Sequence, residues 1–412
     1  MSSVKNIGFG REDTRAVKGI AVIMMLLHHL AGFGDRYPVG FEGFQPKESW
    51  FIKEGILSGL AFNMRFCVAI FFFLGGYGTY KSIAKGSFCL TNSVLGLFKK
   101  YWKVFFIFVP VAYLFFSRSG DGVSGLATRY NFSGAKELIT TIISNFTMLS
   151  DSINLEWWFM KTYICVLLLG TVYCKLTKKL NSFAGELLLI FVIDMLLRSV
   201  LPNLPSVEGL GGLSGNVFFT RFCSQTASSS PFFAGIVFAK YDVVVRLKKI
   251  LYQMPFRAVF GLAGAVAIIW CRCFITGTEL DLIYTPLLAA SLSVFFDSVK
   301  PLRRVFDLIG KHSTNIWLVH SFYCYYFLEA TKLVYCTSNV WVDLGILVVM
   351  SFLTSVILEL FYKYLFQGIE FMRSKFQKKD SDNSGNSDKP ETETEKIPES
   401  ESENENGKIL VH

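Results

Sequence analysis

Apolar residues along this chain come in long blocks, not in the narrow stripes of an amphipathic soluble fold. A helix that is apolar all round and ~20 residues long can cross a bilayer. Ten such blocks are present, at about 16–34, 66–82, 101–117, 157–175, 183–201, 218–239, 257–275, 280–297, 307–329 and 340–364. The polar residues between them carry a bias of their own. Short cytoplasmic loops of membrane proteins collect Lys and Arg. The chain opens with Lys5, Arg11, Arg15 and Lys18, and the loop after block two carries Lys81, Lys85, Lys99, Lys100 and Lys103. After block four come Lys175, Lys178 and Lys179, after block six Lys240, Arg246, Lys248 and Lys249, and after block eight Lys300, Arg303 and Arg304. The intervening loops mix acids with bases: Asp35, Glu42 and Glu48, then Asp121, Glu137, Asp151 and Glu156. This pattern predicts an all-α polytopic transmembrane bundle of about ten helices with both termini cytoplasmic. The expected location is the cell membrane, with membrane lipids as neighbours.

Composition agrees with that picture. Hydrophobic residues make up 52% of the 412, more than one soluble core can use. The net charge of +9 is spread over the loops. A nucleic-acid footprint needs a clustered basic domain, so no nucleic-acid partner is expected. The first block is too long for a cleavable signal peptide and has no small-residue cleavage site. The nine cysteines are scattered, mostly within blocks, and no CxxC pair occurs, so neither a metal site nor a disulfide framework is expected. From about Lys378 the character changes. Asp380 to Gly407 is Ser, Asn, Pro and Glu with hardly any apolar residues, a composition that cannot bury enough surface to fold. The expected organisation is a membrane domain over 1–370 and a disordered acidic cytoplasmic tail over 371–412, where a partner protein could dock.

The first block carries the most distinctive chemistry. Lys18 and His29 are eleven residues apart, almost three whole turns, so they share one helix face at roughly 16 Å along the axis. Val22 and Met25 lie between them on that face. An ionisable group in the hydrocarbon region is expensive and normally faces the bundle interior or a wet cavity. His28 points ~100° away from His29 and is expected to pack.

Several runs then resemble one family in chain order. Lys18 to Ile23 followed by His28-His29 is similar to the first helix of the membrane acyltransferase-3 family, a cation, ten residues, then histidine. Phe71-Phe72-Phe73-Leu74-Gly75-Gly76-Tyr77 resembles its second-helix Phe-Phe run, and Glu156-Trp157-Trp158-Phe159 its entry to a middle helix. Gly310-Lys311-His312-Ser313 with Trp317-Leu318-Val319-His320 resembles its late helix. Two positions depart: the family cation is commonly Arg where this chain has Lys18, and a family Ser is replaced by Gly75. The second change removes a hydroxyl that could have served as a nucleophile.

The resemblance implies a membrane O-acyltransferase. It would move an acyl group, usually acetyl, from cytosolic acyl-CoA to a hydroxyl of a cell-surface or lipid-linked glycan. Acyl-CoA is then a co-substrate, and no bound cofactor is implied. Such chemistry asks for a base at the attacking hydroxyl, and imidazole suits the task. His29 is the catalytic candidate and Lys18 the acyl-CoA phosphate ligand. Ser313, Trp317 and His320 follow i, i+4, i+7 spacing and share a helix face. His320, Arg65, Ser313 and Trp158 are candidates for orienting His29 or binding the acceptor. Asp194 and Arg198, four residues apart, are expected to pair within the bundle. The chief alternative is a secondary transporter of glycan precursors or small acids. It would favour matched, broken helices in two halves, and no such pairing is visible. A non-catalytic membrane scaffold or sensor with a recruiting tail is the other.

Overall fold

The computed structural model describes residues 7–33, 56–116, 129–206, 217–274, 278, 280–337 and 339–384. The acidic loop residues Asp35, Glu42, Glu48 and Asp121, and the tail beyond Ser384, lie outside them. Helix is the regular structure of the described residues, and no strand occurs among them. The chain divides into two units, Met1–Glu359 and Leu360–His412, and the candidate site lies within the first.

Among the described residues, six helical stretches are long and apolar enough to cross a membrane: Arg11–Ala31, Gly59–Ala84, Leu155–Leu176, Phe183–Leu204, Arg257–Phe274 and Val340–Gln377. Each overlaps one of the ten expected blocks. The other four are less regular. Block 101–117 falls in α4 (Leu90–Val111), which ends in a π-helical turn at Ala112–Phe116. Block 218–239 is divided between α8 (Val217–Thr226) and α9 (Pro231–Lys240). Block 280–297 is α12 (Asp281–Ser298). Block 307–329 is divided among α13 (Lys300–Lys311), α14 (Ser313–Ser321), a π-helical turn at Phe322–Tyr326 and α15 (Leu328–Val334). The last helix, α16, runs Val340–Ser384, so helix continues into the segment whose composition suggested a tail.

Close helix approach explains several glycines. In lipid, helices associate through backbone-close packing and polar contacts, because the hydrophobic drive between them is weak. On α1 (Arg11–Ala31), a side chain at Gly19 would strike the Phe306 carbonyl of α13, and one at Gly310 would strike the Arg15 carbonyl. The two glycines thus lock α1 and α13 together from both sides. Gly76 of α3 (Cys67–Ala84) and Gly235 of α9 form a second reciprocal pair, against the Phe232 and Phe73 carbonyls.

The start of α1 is fixed by charge. Asp13 accepts from the Gly10 amide at 2.8 Å, which satisfies one of the helix's unpaired N–H groups. Its other oxygen takes Lys248 at 3.3 Å, Ser293 at 2.9 Å and Arg303 at 3.3 Å. Arg15 pairs with Asp307 at 2.6 Å. The expected Asp194–Arg198 pair forms at 2.6 Å on α7 (Phe183–Met195) and the turn after it.

Candidate active site

α1 brings His28 and His29 to its final turn, both buried. The Tyr325 hydroxyl donates to the His29 carbonyl at 2.7 Å. The same hydroxyl lies 3.2 Å from His29 Nδ1, and His29 Nε2 faces the Glu156 carboxylate at 3.5 Å. That separation is too long for a strong hydrogen bond but close enough for Glu156 to stabilise an imidazolium formed at His29.

Local structure places both partners. Tyr325 sits in the π-helical turn that follows α14, and such turns rotate side chains away from the α-helical register. Glu156 lies in a tight turn, Leu155–Trp157, that leads into α6 (Trp158–Leu176). The Asn154 side chain caps that turn through the Glu156 amide at 3.1 Å, and its own amide donates to Ser321 at 2.7 Å. The two indoles beside Glu156 clasp the turn to α14. Trp157 donates to the Leu318 carbonyl at 3.0 Å, and Trp317 donates to the Glu156 carbonyl at 3.2 Å.

His29 opens on a cavity of about 240 Å³, lined also by Arg65, Glu156, Trp158, Thr278 and Asp281. Arg65 and Trp158, expected near the site, are both on its wall. The far wall is an ion-paired layer in which Arg272 holds Asp281 at 2.5 Å and Arg198 donates to the Thr278 carbonyl at 2.7 Å. His28 lines the same cavity, although its helical angle suggested that it would face elsewhere. At the end of α1 the cavity curls around both rings, whose centroids are 5.0 Å apart. His28 is held by the Ala61 carbonyl at 3.1 Å and packs on Phe33.

His320 is fully buried, with its ring 4.8 Å from that of His29. Its Nδ1–H donates to the Trp317 carbonyl at 2.7 Å, and its Nε2 has no hydrogen-bond partner among the described residues. A buried unpaired lone pair is costly, so this ring stores polar potential directly behind His29.

A second cavity, of about 190 Å³, is lined by Lys18, Lys100, Tyr163, Ser313 and Thr314 among others. Ser313 therefore accompanies Lys18 and not His29. No ion pair to Lys18 exists among the described residues. Lys18 and Lys100 line the same space, which suits an anionic guest. The Gly75 departure has a physical counterpart here. A side chain at Gly75 would strike the Tyr163 hydroxyl, so a phenol fills the space that a serine would have used.

A family model described as an acyltransferase domain matches residues 14–360, which include both cavities. The chain belongs to the acyltransferase-3 family. The protein is accordingly an acyltransferase, and its apolar helices make it a membrane protein. No curated protein and no solved structure matches the chain. Glu156 and Tyr325 were not assigned roles from sequence. Glu156 had a signal, its place in the Glu-Trp-Trp run, but the sequence placed it only among the acids of an intervening loop. Tyr325 had none, because the π-helical turn that aims it leaves no mark in the hydrophobic pattern.

Proposed function

We propose that this acyltransferase transfers an acyl group, most simply acetyl, from cytosolic acyl-CoA to a hydroxyl of a cell-surface or lipid-linked glycan. The observation that carries this reading is the His29–Glu156–Tyr325 arrangement at the edge of a cavity. The proposed topology has ten crossings with both termini cytoplasmic, so Lys18 meets the cytoplasm and the His29 cavity lies toward the outer leaflet. The phosphates of CoA dock at Lys18 and Lys100, with Ser313 beside them.

In the reaction, the acceptor hydroxyl gives its proton to His29 Nε2 as its oxygen attacks the thioester carbonyl. Glu156 stabilises the imidazolium, and Tyr325 holds the ring in place. Arg65, the cation on the cavity wall, steadies the oxyanion. The C–O bond forms, the C–S bond breaks, and the proton passes from His29 to the sulfur, so CoA leaves as its thiol. The family pattern and the polar side chains Arg65, Glu156 and Thr278 on the wall of the His29 cavity support a carbohydrate acceptor.

Mass spectrometry of glycans from a strain lacking the gene tests the reading. Loss of one acyl increment, restored by the wild-type gene and not by a His29→Ala copy, is the expected result. An unchanged glycan and lipid profile would overturn it.

A further inference from the structure

The two cavities share a single lining residue among those described, Trp317. The remaining walls are separate: His29, Glu156 and Arg65 on one side, Lys18, Lys100 and Ser313 on the other. The indole is buried and packs against two rings of the lysine cavity. Phe159 lies at 4.4 Å and 31°, and Phe71 at 5.1 Å and 89°. Its edge is held as well, since Nε1 donates to the backbone carbonyl of Glu156 at 3.2 Å. The residue that bears the carboxylate against His29 thus also anchors the wall between the two spaces.

We infer that Trp317 is a movable partition that keeps the acyl thioester apart from His29 and from water until an acceptor is seated. The inference rests on the acyl-CoA reading given above. With its phosphates in the Lys18 cavity, acyl-CoA presents its thioester to His29 only if the indole leaves this position. A closed site protects a reactive thioester from hydrolysis, which is the usual gain from excluding water. An acceptor entering the His29 cavity contacts the Glu156 turn, to which the indole is tied, so acceptor binding and release of the latch are mechanically linked. Trp317 acts here by positioning and exclusion; proton transfer stays with His29.

The test uses the full-length protein in proteoliposomes, with acetyl-CoA as the probe and release of CoA thiol as the readout. Thiol release is measured alone and after addition of membranes from a strain lacking the gene, which contain unmodified acceptor. Wild type is expected to release little thiol alone and much more with those membranes. Trp317→Ala is expected to raise acceptor-independent release by about tenfold while transfer to the membranes falls. Trp317→Phe, which keeps a ring but loses the Nε1 donor, is expected to leak to a smaller extent. It also keeps the test alive should the alanine variant fail to insert. A purely structural role would lower both rates together and leave their ratio unchanged. Wild type that transfers acetyl while neither variant leaks would overturn the partition and leave the acyltransfer reading standing. Wild type that consumes no acetyl-CoA even with the membranes would instead overturn the reading on which the partition rests.

Discussion

The two ends of α1 hold their polar groups in opposite ways. At the start, Asp13 is shared among the Gly10 amide, Ser293, Lys248 and Arg303, and Asp297 joins the last two into one network. Each charge there meets partners from other helices within contact distance. At the far end, His29 contacts a tyrosine through one nitrogen and faces a cavity and the Glu156 carboxylate with the other. The first arrangement satisfies charge and fixes α1 in the bundle. The second leaves a titratable nitrogen poised at an open space, which proton transfer requires. Lys18 stands between them, in a cavity and unpaired among the described residues, and so resembles the functional end more than the structural one.

Substitutions can break this comparison. His29→Ala is expected to abolish transfer, by about 10³-fold or more, in protein that still inserts. His28→Ala should cost only a few-fold, because its ring is held by the Ala61 carbonyl of the chain backbone. Equal losses in the two variants, measured by glycan acylation, would show that the two rings share one role.

Glu156→Gln comes next. It keeps the shape of the turn but removes the charge that stabilises the imidazolium, so kcat should fall by roughly 10²-fold with little change in KM. A matching loss of folded protein would place Glu156 with the structural charges instead.

Lys18→Ala should raise the KM for acetyl-CoA by about tenfold, and Lys18→Arg should restore it, because either cation attracts phosphate. An unchanged KM in the alanine variant would make Lys18 a membrane anchor.

Asp13→Ala sharpens the other side of the comparison. Removing one partner of a buried ion pair costs about 3–5 kcal/mol, so thermal stability should drop clearly. The surviving folded protein should transfer acyl groups at nearly the wild-type rate per molecule. A specific loss of kcat without a loss of stability would move Asp13 into the catalytic machinery.

How far the sequence foretells this depends on the range of each contact. Lys18 and His29 are legible because one helix fixes their common face, and they do line two successive cavities. The stripe Ser313, Trp317, His320 is legible for the same reason. The structure runs it from the lysine cavity, past the partition, to the ring behind His29. Glu156 and Tyr325 reach His29 from distant parts of the chain, through a tight turn and a π-helical turn. Hydrophobic periodicity encodes neither. Helix breaks are hidden for a similar reason. Blocks 218–239 and 307–329 are apolar along most of their length, yet the Ser229-Ser230-Pro231 corner and the His312 junction interrupt them. Hydropathy reads burial in lipid and does not register where backbone bonds change partners.

The most direct test of the two-ended account supplies acetyl-labelled acetyl-CoA to sealed membrane vesicles of each orientation. Label should enter the glycan or lipid-linked fraction only when acetyl-CoA is given on the cytoplasmic face, with the product on the opposite face. Incorporation from acetyl-CoA on the outer face, or product left on the face where the donor was added, would contradict the proposed placement of the donor at Lys18 and of transfer at His29.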